Sequence, residues 1–147
     1  MSDVVGAFVS HLRTNADAAI LVGTRIFRAY VQPDTELPYI VVRQSPGTRR
    51  EHHQTGVAPI VDVALMVDAY AATSAAAQDL GDKIRLAADS LTNSTIGTVP
   101  NRVTVARVNL DEEFPDTIES AAGAGVDQHR WNQNWTLWVD ETAPAFA

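Results

Sequence analysis

Between residues 57 and 91 the spacing of the apolar residues changes from every second position to every third or fourth. The first part carries them at Val57, Pro59, Val61, Val63, Leu65 and Val67. The second part carries them at Leu80, Ile84, Ala87, Ala88 and Leu91. A period of two is typical of a strand with one buried face, and a period of three to four is typical of an amphipathic helix. We therefore predict a strand over 57–69 that leads into a helix over about 74–91, with both elements sharing one core.

Polar residues refine the prediction for this strand and helix. Asp62 and Asp68 occupy strand positions on the side away from the apolar residues, so we expect them on a solvent-exposed face. Thr73 or Ser74 is a suitable N-cap for the helix. Gly81 lies inside the helix, where glycine costs about 1 kcal/mol relative to alanine. We expect it to mark a close approach of the helix to the sheet.

The rest of the chain adds one helix and four strands. We predict the helix over 4–14, capped by Ser2 or Asp3, and the strands over 25–31, 37–43, 102–110 and 128–140. Connecting segments are predicted as a loop or long hairpin tip over 45–56, a turn-rich exit over 92–100 and a mobile loop over 111–125. Strands joined by loops of the predicted lengths should pair antiparallel. The order α-β-β-β-α-β-β therefore predicts an α+β fold, in which a single, mostly antiparallel β-sheet carries two helices on one face.

Length and composition indicate one ordinary globular domain. The chain has 147 residues, of which 46% are apolar, and this is enough to bury a core. We predict a single domain over 1–142 and a flexible C-terminal tail over 143–147. No apolar run approaches the roughly 20 residues of a membrane-spanning helix, and the N-terminus lacks the blocks of a secretion signal. Since there is no cysteine, disulfides and thiolate chemistry are excluded.

Residue types that carry catalysis do not form a known constellation. His52 and His53 follow Glu51, and imidazole and carboxylate groups are common zinc ligands. Adjacent residues of an extended segment point in opposite directions, however, and the helical spacing that places two histidines on one face is absent. Phosphate-binding glycine loops and nucleophile elbows are also absent. We predict no catalytic, cofactor-binding or metal site and no enzymatic activity. A small metal-binding hydrolase that uses His52 and His53 is the alternative from another class.

Two segments carry opposite charge. The basic segment, residues 43–53, has three arginines and one glutamate, a formal charge of +2. The acidic segment, residues 111–119, has five carboxylates and no base, a formal charge of −5. A solvated surface explains each segment separately. The functional alternatives are that the two segments meet between neighbouring copies, or that the acidic segment lines a channel for DNA. As interface residues we predict Arg49, Arg50, Glu112, Glu113 and Asp116.

The last predicted strand carries three tryptophans. Trp131 and Trp135 share a face with Leu137 and Val139, so we expect them in the core. Trp138 falls on the opposite face, away from both helices. An exposed tryptophan on a strand is a candidate anchor for another protein, so we add Trp138 to the predicted interface residues.

Four segments of the chain form a recognisable series. They are Val22-Gly23-Thr24-Arg25-Ile26-Phe27, Leu37-Pro38-Tyr39-Ile40-Val41-Val42, the strand over 61–70 that runs into 71–91 with its Lys83-Ile84-Arg85, and the late aromatic strand. The series covers nearly the full chain and resembles the tail completion, or tail terminator, proteins of long-tailed bacteriophages and prophages. Residues 111–125 match no pattern of that family.

The resemblance implies a structural protein of a virion. Such subunits form a ring, commonly a homo-hexamer, at the head-proximal end of the tail tube, where the ring stops tube polymerisation and joins the tail to the head. The implied partners are other copies of the chain, the tail tube protein and the head–tail connector protein. Genomic DNA would pass through the lumen without specific binding, and no membrane is involved.

The implied location is the tail or neck of the virion, after assembly in the host cytoplasm. Another neck or head-completion protein is the neighbouring alternative. Nucleic-acid binding through Arg49 and Arg50 is disfavoured, because a net charge of −7 repels phosphates.

Overall fold

In a computed structural model, residues 3–15, 19, 21–23, 25–28, 37–52, 60–97, 102–118 and 128–140 are described. Within these ranges the chain forms two long helices, α1 (Val4–Thr14) and α2 (Ser74–Asp89), and residues 19, 21 and 22 also have a helical backbone. The strands are β1 (Ile26–Arg28), β2 (Tyr39–His52), β3 (Ile60–Ala71), β4 (Ser94–Ile96), β5 (Val103–Ile118) and β6 (Gln128–Asp140). All six belong to one sheet in the order β1-β2-β3-β6-β5-β4. The predicted α+β fold is confirmed.

Most neighbouring strands of the sheet are antiparallel. The exception is the pair β1 and β2, which is parallel, with Ile26 opposite Ile40. The chain therefore returns to the same end of the sheet between Arg28 and Tyr39, and the expectation that consecutive strands pair antiparallel is wrong at this point. The helix α1 contacts both β1 and β4, the two edge strands, so the sheet curls around it.

Side-chain caps fix where the two helices begin. The Asp3 carboxylate accepts a hydrogen bond from the Gly6 N–H (3.0 Å) at the start of α1. The Thr73 hydroxyl accepts one from the Ala76 N–H (3.1 Å) at the start of α2. Each bond satisfies a backbone donor that the first helical turn leaves without a partner. Of the two caps proposed for each helix, the structure selects Asp3 and Thr73.

One apolar face of the sheet forms the core with both helices. The alternating residues of β3 from Val61 to Ala69 are fully buried there, together with Trp135, Leu137 and Val139 of β6. The helices contribute, among others, Phe8, Leu12, Leu80 and Ile84. The change of apolar period between residues 57 and 91 therefore marks a strand followed by a helix that share one core, as predicted, although residues 57–59 lie outside the described part.

Gly81 is the point of closest approach between α2 and the sheet. A methyl group added there would lie 2.8 Å from the indole Nε1 of Trp131, well inside van der Waals contact. The predicted close contact at Gly81 is confirmed. Trp135 is fully buried and Trp131 packs against the core, as expected for this face of β6.

Two strands are longer than predicted, and one short strand was missed. β5 continues to Ile118 along β6, so the mobile loop predicted over 111–125 is wrong as far as residue 118, and residues 119–125 lie outside the described part. β2 continues to His52 along β3, with a register shift between Gln44 and Arg49. Each extension follows a long partner whose backbone supplies the ladder, an effect that local propensity does not show. β4 forms in the predicted turn-rich exit.

The ends of the predicted domain cannot be compared with this structure, because residues 141–147, which include the predicted tail, lie outside the described part. Neither described helix is long and apolar enough to span a membrane.

Candidate assembly surface

The second face of the sheet is polar. We define the polar face by alternate residues of β6, namely Asn132, Asn134, Thr136 and Trp138, and by their cross-strand neighbours. It lies opposite the face that packs against the helices. This is the surface on which the sequence predicted an interface anchor.

Asp68 and Asp62 lie on the polar face but are buried, so their predicted solvent exposure is wrong. The Asp68 carboxylate accepts hydrogen bonds from the guanidinium of Arg43 (3.1 Å) and from the amide of Asn132 (2.5 Å), and Asp68 is 0% exposed. Asp62 is 5% exposed. A buried carboxylate is tolerated when a charged partner and further hydrogen bonds compensate its lost hydration. The partners of Asp68 come from β2 and β6, which sequence alternation cannot place beside it.

Further hydrogen bonds fix the acidic residues of β5 on the polar face. Asn134 donates to Glu112 (2.8 Å), and Asp111 accepts from Thr136 (2.5 Å) and Asn109 (2.8 Å). Asp111 sits where the register of β5 against β6 shifts, between Leu110 and Glu112. Asp111 and Glu112 are therefore held by side-chain hydrogen bonds on β5, which gives these two charges fixed positions.

Trp138 lies on the polar face, as predicted, and is half-buried. The guanidinium of Arg107 stands over its ring, 5.0 Å from the centroid. Such cation–π contacts contribute about 0.5–1 kcal/mol at exposed sites. One side of the indole is therefore already occupied within the subunit.

Strand register sorts the predicted interface residues between the two faces. Arg50 is opposite Asp62, and Asp62 is opposite Trp138, so these positions share one cross-strand row on the polar face. Glu112 pairs with Asn134, and Asp116 with Arg130, on the same face. Arg49 and Glu113 instead pair with Val63 and Gln133, which belong to the apolar face. The side chains of Arg49, Arg50 and Asp116 lie outside what the structure describes.

Glu113 connects α2 to the sheet. Its carboxylate accepts hydrogen bonds from Arg85 (2.8 Å), from the indole N–H of Trp131 (3.0 Å) and from Gln133 (3.2 Å). Gln133 also donates to the backbone carbonyl of Gly81 (2.9 Å). Adjacent glutamates therefore differ: Glu112 is exposed on the polar face, and Glu113 is half-buried within the subunit. The register shift before Glu112 sets which of the two turns inward, and no sequence signal marks it.

The far ends of the oppositely charged segments lie at diagonal corners of the sheet, whereas Arg43 and Glu112 share the cross-strand row of Met66 and Asn134. β3 and β6 separate β2 from β5, a lateral distance of about 14 Å at the usual strand spacing. Along β6, eight residues separate Trp138, in the row of Arg50, from Arg130, in the row of Asp116. This corresponds to about 26 Å at roughly 3.3 Å per residue. Because charges are largely screened beyond about 8 Å at physiological salt, the two ends do not neutralise each other within one subunit.

Phe114 was not identified from the sequence. It is 42% exposed, and with Leu86 on α2, which is 60% exposed, it forms the pair of large apolar side chains that remain open to solvent among the described residues. Phe114 pairs with Asn132 and so lies on the polar face, between Glu112 and Asp116. In the sequence, the signal that could have identified Phe114 is its position as a single aromatic residue within an acidic run.

The histidine hypothesis gains no support from the described residues, which contain no group of three or more potential metal ligands. His53 and the side chain of His52 lie outside the described part.

Comparisons with known proteins identify a family and a solved structure that this chain resembles. A family model described as Tail completion protein gp17 matches residues 6–113, from α1 to the acidic part of β5. A chain in a solved structure entitled "Virion of native gene transfer agent (GTA) particle" is 17% identical, with a TM-score of 0.66 over 93% of this chain and 94% of that chain. This likeness shows a shared fold. A comparison with curated proteins gives no significant match.

An α+β subunit with a helix-covered sheet, matched by a family model over most of its length, defines a structural protein of a phage tail. The chain belongs to the tail completion protein gp17 family. The family resemblance drawn from the sequence is confirmed.

Proposed function

We propose that this chain forms a closed ring at the head-proximal end of the phage tail tube, where it terminates tube polymerisation and joins the tail to the head connector. The virion match of the fold supports a place in such a particle, because the solved neighbour belongs to a virion. The chain reaches this position from the host cytoplasm during assembly. It acts through complementary surfaces, so the reaction it controls is assembly and no catalytic group is needed.

The observation that carries the proposal is the diagonal placement of the far ends of the basic and acidic segments. A twofold contact can also pair the two segments, but it then uses both corners of each copy at once and stops at a dimer. A head-to-tail contact joins the basic segment of one copy to the acidic segment of the next. Repeated with a rotation that closes, head-to-tail contacts build a ring. Complementary charge also sets the register and speeds the encounter of subunits.

The charge balance fits a channel that DNA crosses without binding. The net charge of the chain is −7, so a ring of such subunits carries a field that repels phosphates. In this proposal genomic DNA passes through the lumen without specific binding. The specific partners of the ring are the tail tube protein and the head–tail connector protein. The two flat sides of a ring offer one surface to each of them.

The mass of the assembly tests this function. Light scattering of the purified chain, alone or after addition of tail tubes, should give a particle of about six times 15.9 kDa. Raising the salt concentration should weaken the association, because exposed charge pairs are screened. A chain that stays monomeric and binds neither tube nor connector would contradict the proposal. A chain that binds the connector but not the tube would identify another head-completion protein.

A further inference from the structure

We propose that the exposed side chain of Leu86 in one copy enters a pocket between α1 and β4 of the next copy. This inference rests on the proposed ring and names a contact through which its subunits join head to tail.

The pocket is large enough for one apolar side chain. It has a volume of about 180 Å³ and is lined by Ser10, His11, Thr14, Thr95, Ile96 and Gly97. A cavity of roughly 150 Å³ holds a benzene molecule, so a leucine side chain fits.

Most polar side chains of the pocket are already hydrogen-bonded within the subunit. The Thr14 hydroxyl donates to the His11 carbonyl (3.0 Å), and the His11 Nε2–H donates to the carbonyl of Ala87 (2.9 Å). The hydroxyls of Thr95 and Thr104 are bonded to each other (3.2 Å). An apolar side chain can therefore enter without leaving these groups unpaired, which would otherwise oppose its binding.

Leu86 is the most exposed large apolar side chain among the described residues, at 60%. It lies in the last turn of α2, next to Ala87, which is buried and whose carbonyl accepts from His11. Consecutive residues of a helix point about 100° apart. Leu86 therefore faces away from the core side of α2 and does not line the pocket of its own subunit. Contact between the two requires a second copy.

A pair of opposite charges accompanies the apolar contact. Asp89 is exposed on the same side of α2 as Leu86, in the last turn, where the helix dipole disfavours a negative charge. Arg102 is exposed directly before Val103, the strand partner of Ile96 in the pocket. Within the described part of the chain, neither Asp89 nor Arg102 makes an ion pair or a side-chain hydrogen bond. The Arg102 of one copy can therefore receive the Asp89 of its neighbour.

The exposed leucine and the pocket lie at different levels along the strands. Leu86 follows Arg85, whose guanidinium binds Glu113 of the acidic segment. The pocket strand β4 is level with Val139 of β6, one residue from the row of Arg50 in the basic segment. Each copy can therefore offer Leu86 to one neighbour and its pocket to the other, as a head-to-tail contact requires.

Disulfide trapping tests this contact, because the chain contains no cysteine of its own. Leu86→Cys and Ser10→Cys are combined in one chain, which is oxidised in assembled particles. A head-to-tail contact should give a ladder of covalent multimers on a non-reducing gel, since each copy is linked to two neighbours. A control chain that combines Ser10→Cys with Phe114→Cys, at the other exposed apolar site, should stay monomeric.

The pattern of bands decides the outcome. Monomers alone would overturn the contact, and dimers without higher multimers would show a twofold contact in its place. In both cases a chain that is present in tails of uniform length would still support the proposed function. Particles with normal tails that contain no chain at all would instead refute the proposed function. Circular dichroism of the reduced chains checks that both variants fold.

A charge exchange tests the accompanying pair without cysteines. Asp89→Arg and Arg102→Asp should each lower the yield of tail-complete particles at least about tenfold, because like charges then meet in the contact. The chain that carries both substitutions should recover the yield to within about threefold of the wild type, since the pair is restored with its signs exchanged. Unchanged yields in the single variants, or no recovery in the double variant, would overturn the pairing of these two residues.

Discussion

Asp3 is held by two donors at the start of α1. Its carboxylate accepts from the Gly6 N–H and pairs with Arg28 of β1. Burial disfavours the charged form, but the Gly6 amide and the Arg28 guanidinium outweigh it, so the pKa of Asp3 lies below its usual value. A carboxyl whose pKa is lower in the folded state adds stability above its unfolded pKa and loses it as the pH falls through the folded pKa.

Asp3→Ala should therefore lower the free energy of unfolding by about 1 kcal/mol at neutral pH, the usual cost of losing a helix cap. The difference from the wild type should shrink as the pH falls below about 4. Urea titrations at several pH values measure it. Asp3→Asn, which keeps a capping oxygen without the charge, should show a smaller loss at neutral pH. An alanine effect that is constant with pH would contradict this account.

The adjacent glutamates of β5 should respond differently to truncation. Glu113→Ala leaves the donors of Arg85, Trp131 and Gln133 without their acceptor and should cost about 1–3 kcal/mol of unfolding free energy. Glu112→Ala removes one exposed hydrogen bond to Asn134 and should cost less than about 1 kcal/mol. Chemical denaturation of both variants measures the difference. Equal losses would show that the contacts of Glu113 do not hold α2 to the sheet.

At the scale of the elements, the contact of α2 with β6 depends on a missing side chain. Gly81 allows the helix to approach Trp131, whose indole is fixed by its bond to Glu113. Gly81→Ala should destabilise the protein by about 1–3 kcal/mol through overpacking, even though alanine favours the helix by about 1 kcal/mol.

Thermal unfolding compares this variant with Asp82→Ala, an exposed neighbour in the same helix. The control gains helix propensity without a new contact, so it should match or slightly exceed the wild-type stability. A Gly81→Ala variant as stable as the control would mean that the helix and the sheet are not in close contact at this point.

Periodicity was sufficient to predict the elements that bury one face. The helices begin at the predicted caps, and the alternating residues of β3 and β6 face the core as expected. Periodicity was insufficient where pairing with a neighbouring strand determines how far a strand extends or which side chain is buried. β5 and β2 continue through polar residues because β6 and β3 supply their hydrogen bonds, and Asp68 is buried because Arg43 and Asn132 reach it.

The candidate surface was only partly predictable, because the sequence shows alternation along a strand but not the pairing between strands. Alternation places Trp138 on the face away from the helices, and composition marks the two charged segments. The register shift in β5 separates Glu112 from Glu113, and the exposure of Phe114 depends on that same strand. Both follow from pairing between distant parts of the chain, which a single sequence does not encode locally.

At the scale of the whole molecule, the far ends of the two charged segments lie at diagonal corners of the sheet. In the proposed ring, each end meets the opposite end of a neighbour arranged head to tail. The family assignment gives this arrangement a place in a phage tail, where a ring of subunits can close the end of a tube. In the proposed function the polar face and its corners serve assembly, because the helices cover the other face of the sheet.

Tail length in particles that lack this gene tests the central claim most directly. Without a terminator, tube subunits continue to add, so electron microscopy should show tubes of variable and excessive length that are not joined to heads. Supplying the wild-type chain should restore one length and the joined particles. Tubes of normal, uniform length attached to heads in the absence of the chain would contradict the account.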